Sequence, residues 1–363
     1  MISRNCHLFV VVFILISGRL LAQTYTIPVV FHVLHDNGPE NISDAQIYDC
    51  MSILNTGFNE GFGESIQPPF DTLVADMDIE FCLASMDPQG IPTTGIERIE
   101  TPLTHEGGID AAYINQWPRD RYLNIWTVAS NTGDSSNITS LLPELVDQDP
   151  TRDGVMVMHF FIGSNGTALQ GQSRGICLSV GRYLNLKLLW QDSTGVGGCG
   201  DDEVADTPPM EFSAICFQDA PSCVPGVNAN TENFMTYTLC NRMFTPGQNE
   251  RVYTALNSNV AQRNLLWTAA NLASTGCGVT SITDGYTMED ELSFYPNPVV
   301  DQLQIMAKEN VYEFQIIDPL GKQVFKTRVG KGTSHLDLSG LSSGVYLIIY
   351  RTGLDKRVSR LVK

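Results

Sequence analysis

The chain changes character near residue 290, and that break argues for separate folding units on either side of it. Residues 24–292 hold 10 Lys+Arg against 34 Asp+Glu, a balance of −24; residues 293–363 hold 10 against 6, a balance of +4. Two arginines ahead of residue 24 complete the net charge of −18 over 363 residues, a length that predicts two or three domains. At the break, Gly276 to Asp290 is rich in Ser, Thr, Gly and Asp, the composition of a linker. From Leu292 onward the runs Gln302–Met306, Tyr312–Ile317, Gln323–Lys326, His335–Leu338 and Val345–Tyr350 alternate, with Gly321, Gly330, Gly340 and Gly344 at turns. That spacing predicts a β-sandwich of about 70 residues.

The first residues read as an export signal. Arg4 gives a positive start, Leu8 to Ile16 is unbroken apolar sequence, and Leu20-Leu-Ala22 offers a cleavage site, so residues 1–22 are expected to be removed. The apolar run falls well short of the about 20 residues a spanning helix needs, and no other run is longer; no transmembrane segment is expected. Gln23 stands where a lipid-modified cysteine would follow the cut, which argues against a lipoprotein.

Beyond the signal, Tyr25 to Leu34 is a β-branched and aromatic run that predicts a strand, with Pro28 confining it to an edge or to the strand's beginning. Ser43-Asp-Ala-Gln46 has the form of a capping box, and Ile47, Cys50, Met51, Leu54 and Phe58 then recur at helical spacing. Asp78–Ala84, Tyr122–Val128 and Gly154–Phe161 are further strand candidates. The expectation is an α+β domain over residues 23–278, a linker over 279–291 and an all-β module over 292–363.

Composition excludes some functions and leaves others open. So acidic a main region argues against nucleic acid as a partner, and it is compatible with calcium, whose ligands are oxygens. Nine cysteines become eight if Cys6 leaves with the signal, and an even count in an oxidising compartment favours disulfides. Cys199, Cys216, Cys223 and Cys240 cluster, and none of the cysteines forms a Cys-x-x-Cys pair, so a structural zinc site is not expected.

Two resemblances follow from motifs. Tyr295-Pro-Asn-Pro298, Asp318-Pro-Leu-Gly-Lys322, Leu341-Ser-Ser-Gly-Val-Tyr346 and Arg360-Leu-Val-Lys363 stand in the order of the C-terminal sorting domain of type IX secretion in Bacteroidetes. That resemblance implies passage through the periplasm and across the outer membrane, with the type IX machinery as a partner, to a secreted or cell-surface location. The main region resembles the pappalysin-type metallopeptidases over roughly Tyr25 to Gly278. The resemblance is carried by Ile27-Pro-Val-Val-Phe-His-Val-Leu-His35, Asn41-Ile-Ser-Asp-Ala-Gln46, Tyr122-Leu-Asn-Ile-Trp126, Asp153-Gly-Val155, Gly163–Ala168, Gly198–Pro208 and Asn233-Phe-Met-Thr-Tyr237. It implies a metzincin-like catalytic-domain fold.

In that family Gly175–Trp190 is the zinc segment, a helix reading His-Glu-x-x-His-x-x-Gly/Asn-x-x-His. Here the histidine positions hold Leu178, Arg182 and Leu188, and the glutamate position holds Ser179. None of these supplies an imidazole, thiolate or carboxylate donor for zinc, and serine is no general base for a metal-bound water. The resemblance makes Met235 the methionine beneath the metal and Tyr237 the residue that helps hold the transition state, with Thr236 replacing the usual Asp between them. It also implies calcium at Asp202, Val204 and Thr207, and disulfides Cys199–Cys223 and Cys216–Cys240. Cys50, Cys82, Cys177 and Cys277 can pair among themselves in three ways.

The histidines that remain do not rebuild the site. His32 and His35 are three apart on a strand and face opposite sides, which favours packing roles. His105-Glu106-Gly107-Gly108 lacks a second histidine at helical spacing, and its glycines favour a loop. His159 reads as a structural residue in a strand. Ser179 has no His or Lys at a helical neighbour position to activate it. The expectation is a secreted pappalysin homologue without zinc, an inactive pseudoprotease that binds peptides or proteins in its cleft. The alternatives are an active secreted zinc metalloprotease using an unrecognised site, or a structural or adhesive surface protein.

Overall fold

Strand β1 (Tyr25–His35) is the spine of the main region, buried along almost its whole length because it has sheet neighbours on both sides and cover on both faces. The computed structural model describes residues 24–59, 61–132, 138–191, 198–217, 219–278, 292–296, 299–307, 311–318, 322–352 and 355–363. The expected export signal and linker, and parts of the 295–298 and 318–322 motifs, lie outside these.

Helix α1 (Asp44–Phe58) follows β1, then strands β2 (Ile79–Leu83), β3 (Ile96–Glu100), β4 (Leu123–Val128) and β5 (Ile138–Ser140), the short helix α2 (Pro143–Val146) and strand β6 (Val155–Met158). Their order in the sheet is β2-β1-β4-β6-β5, with β3 also paired to β1. All neighbours are parallel except β5, which runs antiparallel to β6 and forms one end of the sheet. Pro28 lies in the stretch paired to β2 and ahead of Val29, where pairing to β4 begins. The proline therefore marks the beginning of an interior strand.

Ile47, Cys50, Met51, Leu54 and Phe58 are all buried, as the helical spacing of α1 requires. The capping box is half formed. Ser43 accepts the Gln46 backbone N–H at 3.2 Å, but the Gln46 amide turns away to the carbonyl oxygens of Ile162 (2.9 Å) and His159 (3.2 Å). Gln46 thus ties the start of α1 to the turn that follows β6. His159 belongs to that 3-10 turn (His159–Phe161) and not to the strand, which stops at Met158.

Helix α3 (Gly175–Tyr183) packs with α1, β5 and β6. From Ile176 to Tyr183 every residue is buried except Arg182, the pattern of a helix enclosed on nearly all sides. Helices α4 (Pro246–Leu256), α5 (Arg263–Leu266) and α6 (Ala269–Thr275) close the region. A capping box starts α4, with Thr245 accepting from Gln248 and the Gln248 side chain accepting the Thr245 N–H. After α6, Cys277 is bonded to Cys82 on β2, while Cys199–Cys223 and Cys216–Cys240 staple the long loops between α3 and α4.

The C-terminal module has its own core of Leu303, Ile305, Phe314, Ile316, Ile348 and Leu361 among others. Its strands are β7 (Leu292–Tyr295), β8 (Gln302–Ala307), β9 (Val311–Ile317), β10 (Gln323–Val329), β11 (Gly332–Asp337), β12 (Val345–Thr352) and β13 (Asp355–Val362). They form two antiparallel sheets, β10-β9-β12-β13 and β11-β8-β7, the sandwich that the alternating pattern predicts.

Candidate functional site

The end of α3 builds the site. The helix stops at Tyr183, and Asn185 adopts a left-handed φ of 76° that asparagine tolerates well. The Leu186 N–H closes back on the Gly181 carbonyl at 2.8 Å, and the chain reverses. This brings Leu188, Trp190 and Gln191 alongside the last turn. Beneath it lies Met235, fully buried, whose sulfur leaves no room for a side chain at Gly181: a Cβ there would come within 2.7 Å. The Leu189 N–H reaches the Met235 carbonyl at 3.3 Å, which joins the reversed chain to the turn carrying Met235, Thr236 and Tyr237. Thr236 is buried and donates to the Asn233 carbonyl at 2.9 Å.

Four side chains of the α3 segment bear on chemistry. Leu178 is buried in the core, and Leu188 packs against that core while partly exposed. Ser179 is fully buried and donates to the Gly175 carbonyl one turn back at 3.2 Å, a local bond that occupies its proton. Arg182 points toward the end of the sheet. Its Nε donates to the carbonyl of Ser140 on β5 at 3.1 Å and its Nη1 to Gln191 Oε1 at 3.3 Å. Burial lowers the Arg182 pKa, and neighbouring Tyr237 works against that shift. Tyr237 is 41% exposed and meets Trp190 edge-on with ring centroids 4.9 Å apart; Phe212 lies 5.1 Å from Trp190. Gln191, Ser140 and Phe212 carry no sequence signal of their own.

Two of the histidines, His32 and His159, are tied into local hydrogen bonds. His32 is fully buried, with Nδ1 at 2.8 Å from Glu97 and Nε2 at 2.9 Å from Asn124 Oδ1, and its ring stacks on Trp126. His35, three residues on, is also buried, and His105 and Glu106 are exposed. His159 Nδ1 lies 2.9 Å from Thr167 Oγ1, and burial lowers the pKa of its ring. Among the described residues no group of three or more His, Cys, Asp and Glu side chains is placed to hold a metal ion.

A second cluster gathers oxygens. Thr207 Oγ1 lies 2.6 Å from Asp202 Oδ1 and 2.9 Å from the Val204 carbonyl, yet one hydroxyl proton can serve only one of these acceptors. Asp202 Oδ2 is buried and has no hydrogen-bond partner among the described residues. Burial pushes the Asp202 carboxyl up to about 6, against the opposing pull of the Thr207 hydroxyl and the Val204 N–H. Converging oxygens with too few protons and an orphaned carboxylate atom are the chemistry that fits a hard cation.

Residues 110–257 match the family model described as pregnancy-associated plasma protein-A. Mature mirolysin of Tannerella forsythia, solved in complex with a cleaved peptide, is 31% identical, with a TM-score of 0.63 and coverage of 70% of this chain and 99% of its own. The chain belongs to the pappalysin family of metallopeptidases. Mirolysin in complex with a small compound is similar at 30% identity over 70% of this chain and 99% of its own, with a TM-score of 0.63. A promirolysin mutant from the same organism matches at 31% identity over 69% and 86%, with a TM-score of 0.60. Residues 293–363 match the secretion system C-terminal sorting domain. Among curated proteins no significant match was found.

Pappalysins are zinc metallopeptidases. The α3 segment of this chain does not fit that ion: two leucines offer no lone pair, the guanidinium offers only donors and a positive charge, and the serine hydroxyl is turned to its own helix. The tail indicates export by the type IX route to the cell surface or beyond, and among the described residues no helix is long and apolar enough to cross a membrane.

Proposed function

We propose that this protein is an exported pappalysin homologue that has lost zinc binding and catalysis and works by binding peptides or proteins in the former substrate cleft. The observation that carries the reading is the replacement of the motif's three ligands and its general base by Leu178, Arg182, Leu188 and Ser179 within an otherwise coherent segment. Met235 beneath α3 and Tyr237 at its end are relics of the family site, and both support the placement. The cleaved peptide held by the related mirolysin supports reading the same face here as a peptide cleft. Calcium belongs to the reading as a structural ion. Asp202, Val204 and Thr207 hold it through carboxylate, carbonyl and hydroxyl oxygens, and its charge compensates the buried carboxylate.

The test is elemental analysis of the natively secreted protein, never refolded, together with a peptidase assay with and without chelator. The expected outcome is calcium near one per chain, no stoichiometric zinc and no chelator-sensitive cleavage. Chelator should lower the melting temperature, since an ion present at about 100 times its dissociation constant contributes roughly 2.7 kcal/mol. Zinc near one per chain with chelator-sensitive proteolysis overturns the inactive reading; an unchanged melting temperature removes calcium from it.

A further inference from the structure

Among the described residues, Arg182 carries a charge that its surroundings do not match. The main region holds ten Lys and Arg side chains, and eight of them sit in ion pairs with carboxylates: Arg98, Arg119, Arg152, Arg174, Lys187, Arg242, Arg251 and Arg263. Arg121 is compensated differently. Its two Nη groups reach the Pro88 carbonyl, the Tyr122 hydroxyl and both oxygens of Ser274, and it lies over the Tyr122 ring. Among the described residues Arg182 has just two acceptors, the Ser140 carbonyl and the Gln191 amide oxygen, both neutral. A guanidinium has five N–H groups, so three remain, Nη2 entire among them.

A tether from α3 to the edge strand needs a donor and not a cation; a glutamine amide would serve the Ser140 carbonyl. A partly buried charge is costly without a counter-charge. The planar fork that Arg182 leaves open is the geometry that takes a carboxylate with two parallel bonds. The surroundings narrow the ligand further. Tyr237, exposed beside Arg182, forms an aromatic wall with Trp190 and Phe212, the latter 52% exposed. Ser140, which anchors the guanidinium, ends the edge strand β5, so an extended ligand lying along that edge would end at Arg182.

We propose that Arg182 forms an anion subsite that receives the free C-terminal carboxylate of a bound peptide, with the aromatic wall accepting an apolar last side chain. The inference rests on the peptide-binding reading above and names the class of peptide: chains that already end in the cleft, such as products of other proteases, in preference to internal segments.

The test is isothermal titration calorimetry of the full secreted chain with acetyl-Ala-Ala-Phe as the free acid and as its carboxamide. A charge-assisted pair is worth about tenfold or more in affinity, so the acid should bind at least about tenfold tighter than the amide. In Arg182→Gln, which can keep the Ser140 tether, the difference should fall below about twofold, while Arg182→Lys should retain part of it. Equal binding of acid and amide by the unmodified protein overturns the anion subsite and leaves the peptide reading standing, with no dependence on how the variants fold. An amidated peptide with an internal glutamate that binds as tightly as the acid, and loses affinity in Arg182→Gln, overturns the assignment to a chain terminus. No binding of any of these peptides overturns the subsite and the peptide reading together.

Discussion

At the scale of single residues, what holds α3 in place is a buried ion pair. Arg263 is fully buried, and its Nη1 and Nη2 meet Asp153 Oδ2 and Oδ1 at 2.9 and 2.6 Å. Its Nε donates to the Tyr183 carbonyl at 3.1 Å, and the guanidinium lies 3.6 Å over the Tyr183 ring, so the last residue of α3 is gripped from two directions. Replacing the pair by matched apolar groups need not cost stability, but removing one partner strands the other. Arg263→Met should therefore lower unfolding stability by about 3–5 kcal/mol in denaturant titrations. A loss below about 1 kcal/mol would mean that Arg119, whose Nη1 lies 3.5 Å from Asp153, takes over the pairing. Little of this was legible in the sequence. Asp153-Gly-Val155 was part of the family resemblance, but nothing local points from Asp153 to a partner 110 positions away. Likewise Ser179 reads as an empty general-base position, and only the fold reveals that its hydroxyl is committed to Gly175.

Among the elements, legibility followed burial and length. Strands β1, β4 and β6 are readable because they are largely apolar and β-branched or aromatic, β2 because its apolar residues alternate with Glu80 and Cys82, and α1 because its apolar residues recur at helical spacing. Strand β3 reads Ile-Glu-Arg-Ile-Glu and β5 is three residues long, too polar or too short to separate from loop text. Helix α4 went unread although Thr245-Pro-Gly-Gln248 is a capping box with proline at its first position, a signal strong enough to have found it. The cysteines divide in the same way. Spacing leaves Cys50, Cys82, Cys177 and Cys277 with three possible pairings, and the structure joins Cys82 to Cys277 while Cys50 and Cys177 stay free and buried. Burial pushes the Cys50 thiol up to about 12 and the Cys177 thiol higher still, so neither is reactive in the folded state. Alkylation of the mature chain in denaturant without reductant should label two thiols, and alkylation of the folded protein should label none. Paired replacement of Cys82 and Cys277 by alanine should cost about 2–5 kcal/mol, because the bond ties β2 to the end of α6 across 195 residues. Four labelled thiols in denaturant would contradict the Cys82–Cys277 link.

For the whole molecule, the charge break in the sequence coincides with a break between cores. The main cluster runs from Tyr25 to Trp267, the second from Leu292 to Leu361, and neither includes a residue of the other. The chain end is built into the second: the Lys363 N–H bonds to the Gly344 carbonyl at 2.9 Å and the Gly344 N–H to the Lys363 carbonyl at 2.8 Å, which extends the β12–β13 ladder to the last residue. The tail carries a balance of +4 and the main region −24, and each has a core of its own. Deleting residues 292–363 should therefore separate stability from export. The truncated chain should melt within about 2 °C of the main transition of the full protein, since no core residue of the first cluster is lost and a surface change is worth about 0.5 kcal/mol or less. In its host the same truncation should abolish appearance outside the cell and leave the protein in the periplasm, measured by fractionation and blotting against the full chain. Normal surface or medium levels of the truncated protein would remove the export role of the tail; a melting point lowered by 10 °C or so would show that the two cores share stability after all.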